Sequence, residues 1–168
     1  MSRRSNAEHQ DLTPFVDVLP EFVKAHDASH GVQWVDFDGD GALDLALANN
    51  DAKGGHYLFR NLLPTAVARR SLAVDVVDQR GRHTKAGAEV RVYAAGTRRL
   101  ISSGLVDTGG GYCSQNVMPV HVATPGASRV DIEVTSMTKE GRRVTALRNQ
   151  SAIRDPKSEM VSIRLEVP

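Results

Sequence analysis

Nine consecutive residues carry the plainest chemistry in this sequence: Asp36-Phe37-Asp38-Gly39-Asp40-Gly41-Ala42-Leu43-Asp44. Carboxylates stand at positions 1, 3, 5 and 9 of the run and glycines at 4 and 6, where a tight turn calls for positive φ. Such spacing aims alternate side chains at one centre. Without a counter-charge, two carboxylates about 4 Å apart repel by roughly 4 kcal/mol at an effective dielectric of ~20. A hard divalent cation removes that repulsion. Oxygen ligands without His or Cys favour Ca2+ over Mg2+ or Mn2+. The expected ligands are the side chains of Asp36, Asp38, Asp40 and Asp44, the backbone carbonyl of Ala42, and water. An EF-hand needs a bidentate Glu at position 12 between two helices. Position 12 here is Leu47, and both flanks, Val32-Gln33-Trp34-Val35 and Leu45-Ala46-Leu47-Ala48, read as strands. The expectation is a calcium loop inside a β-hairpin, with Trp34 as a core anchor against it.

A second segment is hard to explain by packing alone. Gly109-Gly110-Gly111 is followed by Tyr112, Cys113, Ser114 and Gln115, and His121 lies six residues further on. The imidazole is the one group there able to move a proton near neutral pH. Tyr112, Cys113, Gln115 and His121 are therefore the candidate catalytic residues, with Tyr112, Gln115 and His121 lining any pocket. Against this stand two plainer readings: Cys113 as a small buried hydrophobe in a β run, and His121 as a hydrogen-bonded core histidine. The six histidines, at positions 9, 26, 30, 56, 83 and 121, are too scattered for a zinc site. A single cysteine excludes an internal disulfide and a CxxC metal site.

The elements that must position these groups are strands. Period-two alternation marks 32–37, 43–48, 57–62, 72–77, 88–94, 100–106, 112–122 (broken at Pro119), 130–134, 143–147 and 161–167. Several alternate cleanly, as in Val90 and Val92 against Glu89 and Arg91, or Val130, Ile132 and Val134 against Asp131 and Glu133. Gly and Pro punctuate the chain at about ten-residue intervals, the pattern of a sandwich or barrel. One short helix is expected within 20–28 and a linker at 64–70.

The residues Phe15-Val16-Asp17-Val18, His30-Gly31-Val32, the stretch from Trp34 to Leu45, and Tyr57-Leu58-Phe59-Arg60-Asn61 resemble the FG-GAP (VCBS-type) repeat. The later stretches Ala86-Gly87-Ala88-Glu89-Val90-Arg91-Val92, Gly109 to Gln115, His121, Val130 to Val134 and Gly141 are similar to the ASPIC/UnbV domain of the cartilage acidic protein-like family. The resemblance covers about residues 15–150. It implies one blade-like, calcium-holding repeat of the kind that builds propellers, followed by a β domain. It brings no assigned chemistry. The sequence departs from the family at His121-Val122-Ala123-Thr124-Pro125-Gly126, where His-Phe-Gly-Leu-Gly is usual, and at Thr138-Lys139-Glu140, where Trp-Pro precedes the glycine.

The expected architecture is all-β: a polar arm at 1–12, a calcium-loop hairpin unit at 13–64, and a C-terminal antiparallel β-sandwich at 71–168. With 168 residues there is room for one domain or two small ones sharing a core. Lys and Arg total 21 and Asp and Glu 20, so no charge excess points to nucleic acid or to an anionic membrane. No apolar run spans a bilayer, and the first residues lack the apolar stretch of a secretory signal. The location read from this is cytoplasmic, or exported if the chain is a fragment of a longer protein. Two functions remain open. One is a calcium-stabilised binding or assembly module, paired with a second copy because a lone blade leaves open edges, and taking a small-molecule or protein ligand. The other is a small cyclase, isomerase or hydrolase acting on an organic metabolite.

Overall fold

The computed structural model describes residues 18–24, 29–53, 55–109, 115–117, 119–153 and 162–167. It is all-β. Among the described residues, ten strands lie close to the ten alternating runs: β1 (Ser29–Val35), β2 (Asp44–Asn49), β3 (Tyr57–Phe59), β4 (Ser71–Asp78), β5 (Glu89–Ala94), β6 (Leu100–Leu105), β7 (Val120–Ala123), β8 (Arg129–Thr138), β9 (Gly141–Ser151) and β10 (Ser162–Val167). Two single-turn helices accompany them, α1 (Glu21–Lys24) and α2 (Thr65–Ala68). The first falls within the expected helix and the second within the expected linker. Among the described residues no helix is long and apolar enough to cross a membrane.

The strands form three sheets: β1-β2-β3, β10-β4-β7 and β6-β5-β8-β9. The last two share one apolar core. Leu72, Val74 and Val76 of β4, Val90 and Val92 of β5, Val122 of β7, Val130, Ile132 and Val134 of β8, and Leu165 of β10 form a single buried cluster. At about 25 cal/mol per Å² of apolar surface removed from water, this cluster is the main source of stability. All eight residues of β4 are buried. Both of its faces are covered, which suits its near-continuous apolar run. One expectation fails here. β10 pairs with β4 in parallel, Ser162 against Ala73 through Val167 against Asp78, so the C-terminal unit is not wholly antiparallel. Side-chain alternation states which face is buried and is silent on the direction of the neighbour.

The hairpin sheet stands apart from the other two ladders. Its register sets Val32 opposite Leu47, Trp34 opposite Leu45, and Leu45 and Leu47 opposite Phe59 and Tyr57. These six side chains share one face. Phe22 of α1 packs against Tyr57 with ring centroids 5.8 Å apart. Trp34 is not the core anchor expected of it, being 56% exposed, because β1 is an outer strand of this small sheet and lends one face to water. Several boundaries also move, among them those of β1 and β8. β3 stops at Phe59, so 60–62 lie outside it. β7 begins at Val120, with 115–117 and 119 irregular and the rest of the expected 112–122 strand outside the described residues. β9 extends well beyond the expected 143–147.

Candidate metal centre

The acidic run forms the connection between β1 and β2. Gly39 and Gly41 adopt φ of 73° and 97°, the left-handed conformation expected at those two positions. The turn folds back on its own carboxylates. Asp38 Oδ1 accepts from the Asp40 amide at 3.2 Å, Asp40 Oδ1 from the Ala42 amide at 2.8 Å, and Asp36 Oδ2 from the Gly41 amide at 3.0 Å. These bonds converge Asp36, Asp38 and Asp40, whose oxygens lie within 4.8 Å of one another. Calcium–oxygen distances of about 2.3–2.6 Å allow opposed ligands to stand ~5 Å apart across one ion. The three carboxylates fit that span, and their all-oxygen chemistry suits a hard cation.

Asp44 sits elsewhere. It opens β2 opposite Val35 and is only 1% exposed. Its Oδ2 accepts from the Phe37 amide at 3.1 Å and its Oδ1 from the Asn61 amide at 2.7 Å. The Asn61 side chain in turn donates to the Leu43 carbonyl at 2.9 Å. Asp44 therefore ties the start of the loop to the segment after β3, and is not in the three-carboxylate group. Ala42 is buried, its amide held by Asp40. Arg60, which the sequence reading did not weigh, lays its Nε 2.7 Å from Asp38 Oδ2 and its Nη2 3.8 Å from Asp40 Oδ2. It sets a positive charge beside two of the three carboxylates. Arg60 and Asn61 both fall in the stretch Tyr57–Asn61 that resembles the end of the repeat, and that was the signal available for them.

The loop is docked on the second unit through one carbonyl. The Gly41 oxygen accepts from Ser71 Oγ at 2.8 Å and from His121 Nε2 at 3.0 Å. A carbonyl only accepts, so Nε2 carries the proton. The Ser71 hydroxyl also lies 2.7 Å from the Ala68 carbonyl and has a single proton to divide between the two. His121 thus supplies a constant donor. It lies on β7 opposite Ala73, half-buried.

Of the residues expected to line one pocket, His121 and Gln115 border different cavities. His121 borders a cavity with Trp34, Asp36, Leu43 and Asn116. Gln115 borders a different cleft, with His56, Tyr57 and Leu58. Tyr112 and Cys113 lie outside the described residues. No family model matches this chain, nor does any curated protein or solved structure.

Proposed function

We propose that the protein is a calcium-stabilised binding and assembly module, of the kind suggested by its likeness to FG-GAP and ASPIC/UnbV sequences. One observation carries this reading: Asp36, Asp38 and Asp40 converge within 4.8 Å in a loop whose Gly41 carbonyl is held by the neighbouring unit. A cation on those carboxylates joins the strands of the hairpin where they dock on β4 and β7, and so acts as a structural rivet. Calcium supplies charge neutralisation and oxygen coordination there. The ligands assigned to it are Asp36, Asp38 and Asp40. Asp44 and the Ala42 carbonyl complete the set only after Asp44 exchanges its amide partners.

Assembly belongs to the same reading. Among the described residues no strand pairs with the outer edge of β1, and Val32 and Trp34 beside it are half-exposed. A second copy is the simplest partner to cover such an edge.

Thermal unfolding with added calcium, with magnesium and with EDTA tests the metal. Binding to the folded form alone adds about 2.7 kcal/mol when the ion is at ~100 times its dissociation constant. Calcium is expected to raise the Tm of the native chain and to leave Asp40→Ala unmoved. Superimposable melts of the native chain in calcium and EDTA would overturn the assignment.

A further inference from the structure

β9 is the outermost strand of its sheet, paired on one side with β8. Among the described residues no strand pairs with its other side. Eleven residues long, it leaves an extended row of backbone amides and carbonyls open. Its ladder with β8 runs without interruption from Gly141 to Leu147. There a bulge begins: Arg148 and Asn149 together oppose Asp131, and Asn149 takes a φ of 57°. Asp131 fixes the bulge by accepting from the Asn149 amide at 2.8 Å. A bulge bends its strand and interrupts pairing. The usable edge is therefore 141–147, about 24 Å long at ~3.4 Å per residue.

Charge along that edge has one sign. β9 holds Arg142, Arg143 and Arg148 and no acidic residue. Arg148 turns to its own sheet, to Glu133 at 2.9 Å and Asp131 at 3.5 Å. Arg98 holds Glu133 as well, at 2.7 Å. Arg142 and Arg143 are exposed, and they stand opposite Met137 and Ser136 rather than acids. Glu140 in the adjoining turn feels Arg143 as the weakest of its influences, and Lys139 beside it offsets its charge. Two guanidinium groups are thus left at one end of an open ladder. A second copy of the chain fits this edge poorly. Two β9 strands meeting antiparallel in full overlap set Arg142 or Arg143 against Arg148 of the other copy. Like charges directly opposite destabilise a strand pair. β1, by contrast, has no Lys, Arg, Asp or Glu.

We propose that the β9 edge binds an extended acidic peptide, which joins the four-stranded sheet as a further strand. Its backbone pairs with 141–147, its carboxylates lie beside Arg142 and Arg143, and β-branched side chains lie beside Val144 to Leu147. The proposal rests on the reading of the protein as a binding module, uses none of the residues of the calcium loop and needs no metal.

Two fluorescein-labelled peptides, titrated with the native chain in EDTA and followed by anisotropy, test it. Thr-Val-Thr-Val-Glu-Glu brings its acids to Arg142 and Arg143 when antiparallel to β9, and Glu-Glu-Val-Thr-Val-Thr when parallel. One of the two is expected to bind saturably, and its Lys-Lys counterpart at least ~10-fold more weakly. Alternate amides of a strand face one neighbour. Of two forms of the binding peptide, N-methylated on odd or on even residues, one should therefore lose binding and the other keep it. Joint Arg142→Glu and Arg143→Glu substitution should turn the preference toward the lysine peptide. If its melt shows that it does not fold, Arg142→Gln with Arg143→Gln replaces it and should erase the preference. Silence from both acidic peptides, equal binding of acidic and lysine forms, equal binding of the two methylated forms, or an unchanged preference in the variant would each overturn the proposal. So would a peptide affinity that falls as the protein is concentrated, which would place a second copy on this edge. Failure here with a calcium-dependent melt intact would leave the metal reading standing. Peptide binding without any calcium effect on the melt would do the reverse.

Discussion

Gly104 of β6 and Val120 of β7 approach so closely that a Cβ on the glycine would stand 2.6 Å from Val120 Cγ1. The two strands belong to different sheets, so this contact sets how near the sheets come along one edge. Gly104→Ala is expected to cost about 1–3 kcal/mol through overpacking. Adding Val120→Ala should return part of that loss, since residues in contact couple by roughly 0.5–3 kcal/mol. Urea midpoints of the two single variants and the double variant measure it. Strict additivity would show that the backbone shifts freely and that the contact sets nothing.

Asp44 and Asp38 should respond very differently to substitution in EDTA. Asp44→Ala strips two backbone amides of their acceptor in a nearly dry site, a loss of about 2–4 kcal/mol. Asp38→Asn alters an exposed loop position and should change stability by less than ~1 kcal/mol. Equal effects in thermal or urea unfolding would count against the separate roles given to the two carboxylates.

Arg60 lies against Asp38 and Asp40, two of the three carboxylates proposed to hold the cation. Arg60→Gln should lower metal-free stability by under ~1 kcal/mol, as for an exposed ion pair, and tighten calcium binding by roughly three- to tenfold, because a positive charge near the ion is gone. Isothermal titration decides the point. Unchanged or weaker affinity would mean that Arg60 does not oppose the ion.

Acid should act through Asp131 and Asp78, both buried. The Asn149 amide, 2.8 Å away, is the largest influence holding the Asp131 carboxyl below its usual value; burial opposes it, and the Gly96 amide and Arg148 assist. The amide and then the guanidinium of Arg82 hold Asp78 well below the usual carboxylate range. A carboxylate with a depressed folded pKa adds stability that is fully present above its unfolded value of about 3.9. That contribution is lost as pH falls through the folded value. Urea midpoints should therefore be insensitive to these two groups near neutrality and fall below about pH 4. Asp131→Asn should flatten the fall. An unaltered acid slope in that variant would assign acid unfolding to other groups.

Local patterns were readable and distant partnerships were not. Val90 and Val92, or Val130, Ile132 and Val134, announce their buried face by alternation alone, and each is buried. The aspartates and glycines of the loop announce the turn, because positive φ and converging carboxylates are local consequences of spacing. Asp44 has ligand spacing too. Its role as an amide acceptor depends on Asn61, which no periodicity ties to it. His121 and Gly41 are 80 residues apart, and only tertiary structure shows that they meet. Trp34 misled because its size argues for burial, whereas an outer strand of a three-stranded sheet leaves part of one face open. Arg60 was overlooked because an arginine after a strand looks like any solvated charge.

The parallel pairing of β4 with β10 bears on the order in which this protein folds. β4 is its sheet's central strand, yet one of its two neighbours, β10, lies more than 80 residues further along the chain. Contacts such as Arg164 with Asp75 close 89 residues of chain. Loops of that length form late and slowly. Until β10 arrives, an apolar strand with unpaired amides and carbonyls faces solvent, and that is an opening for intermolecular strand addition. Refolding should therefore be concentration-sensitive in its yield, with β10 amides gaining protection from hydrogen exchange after those of β5 and β8.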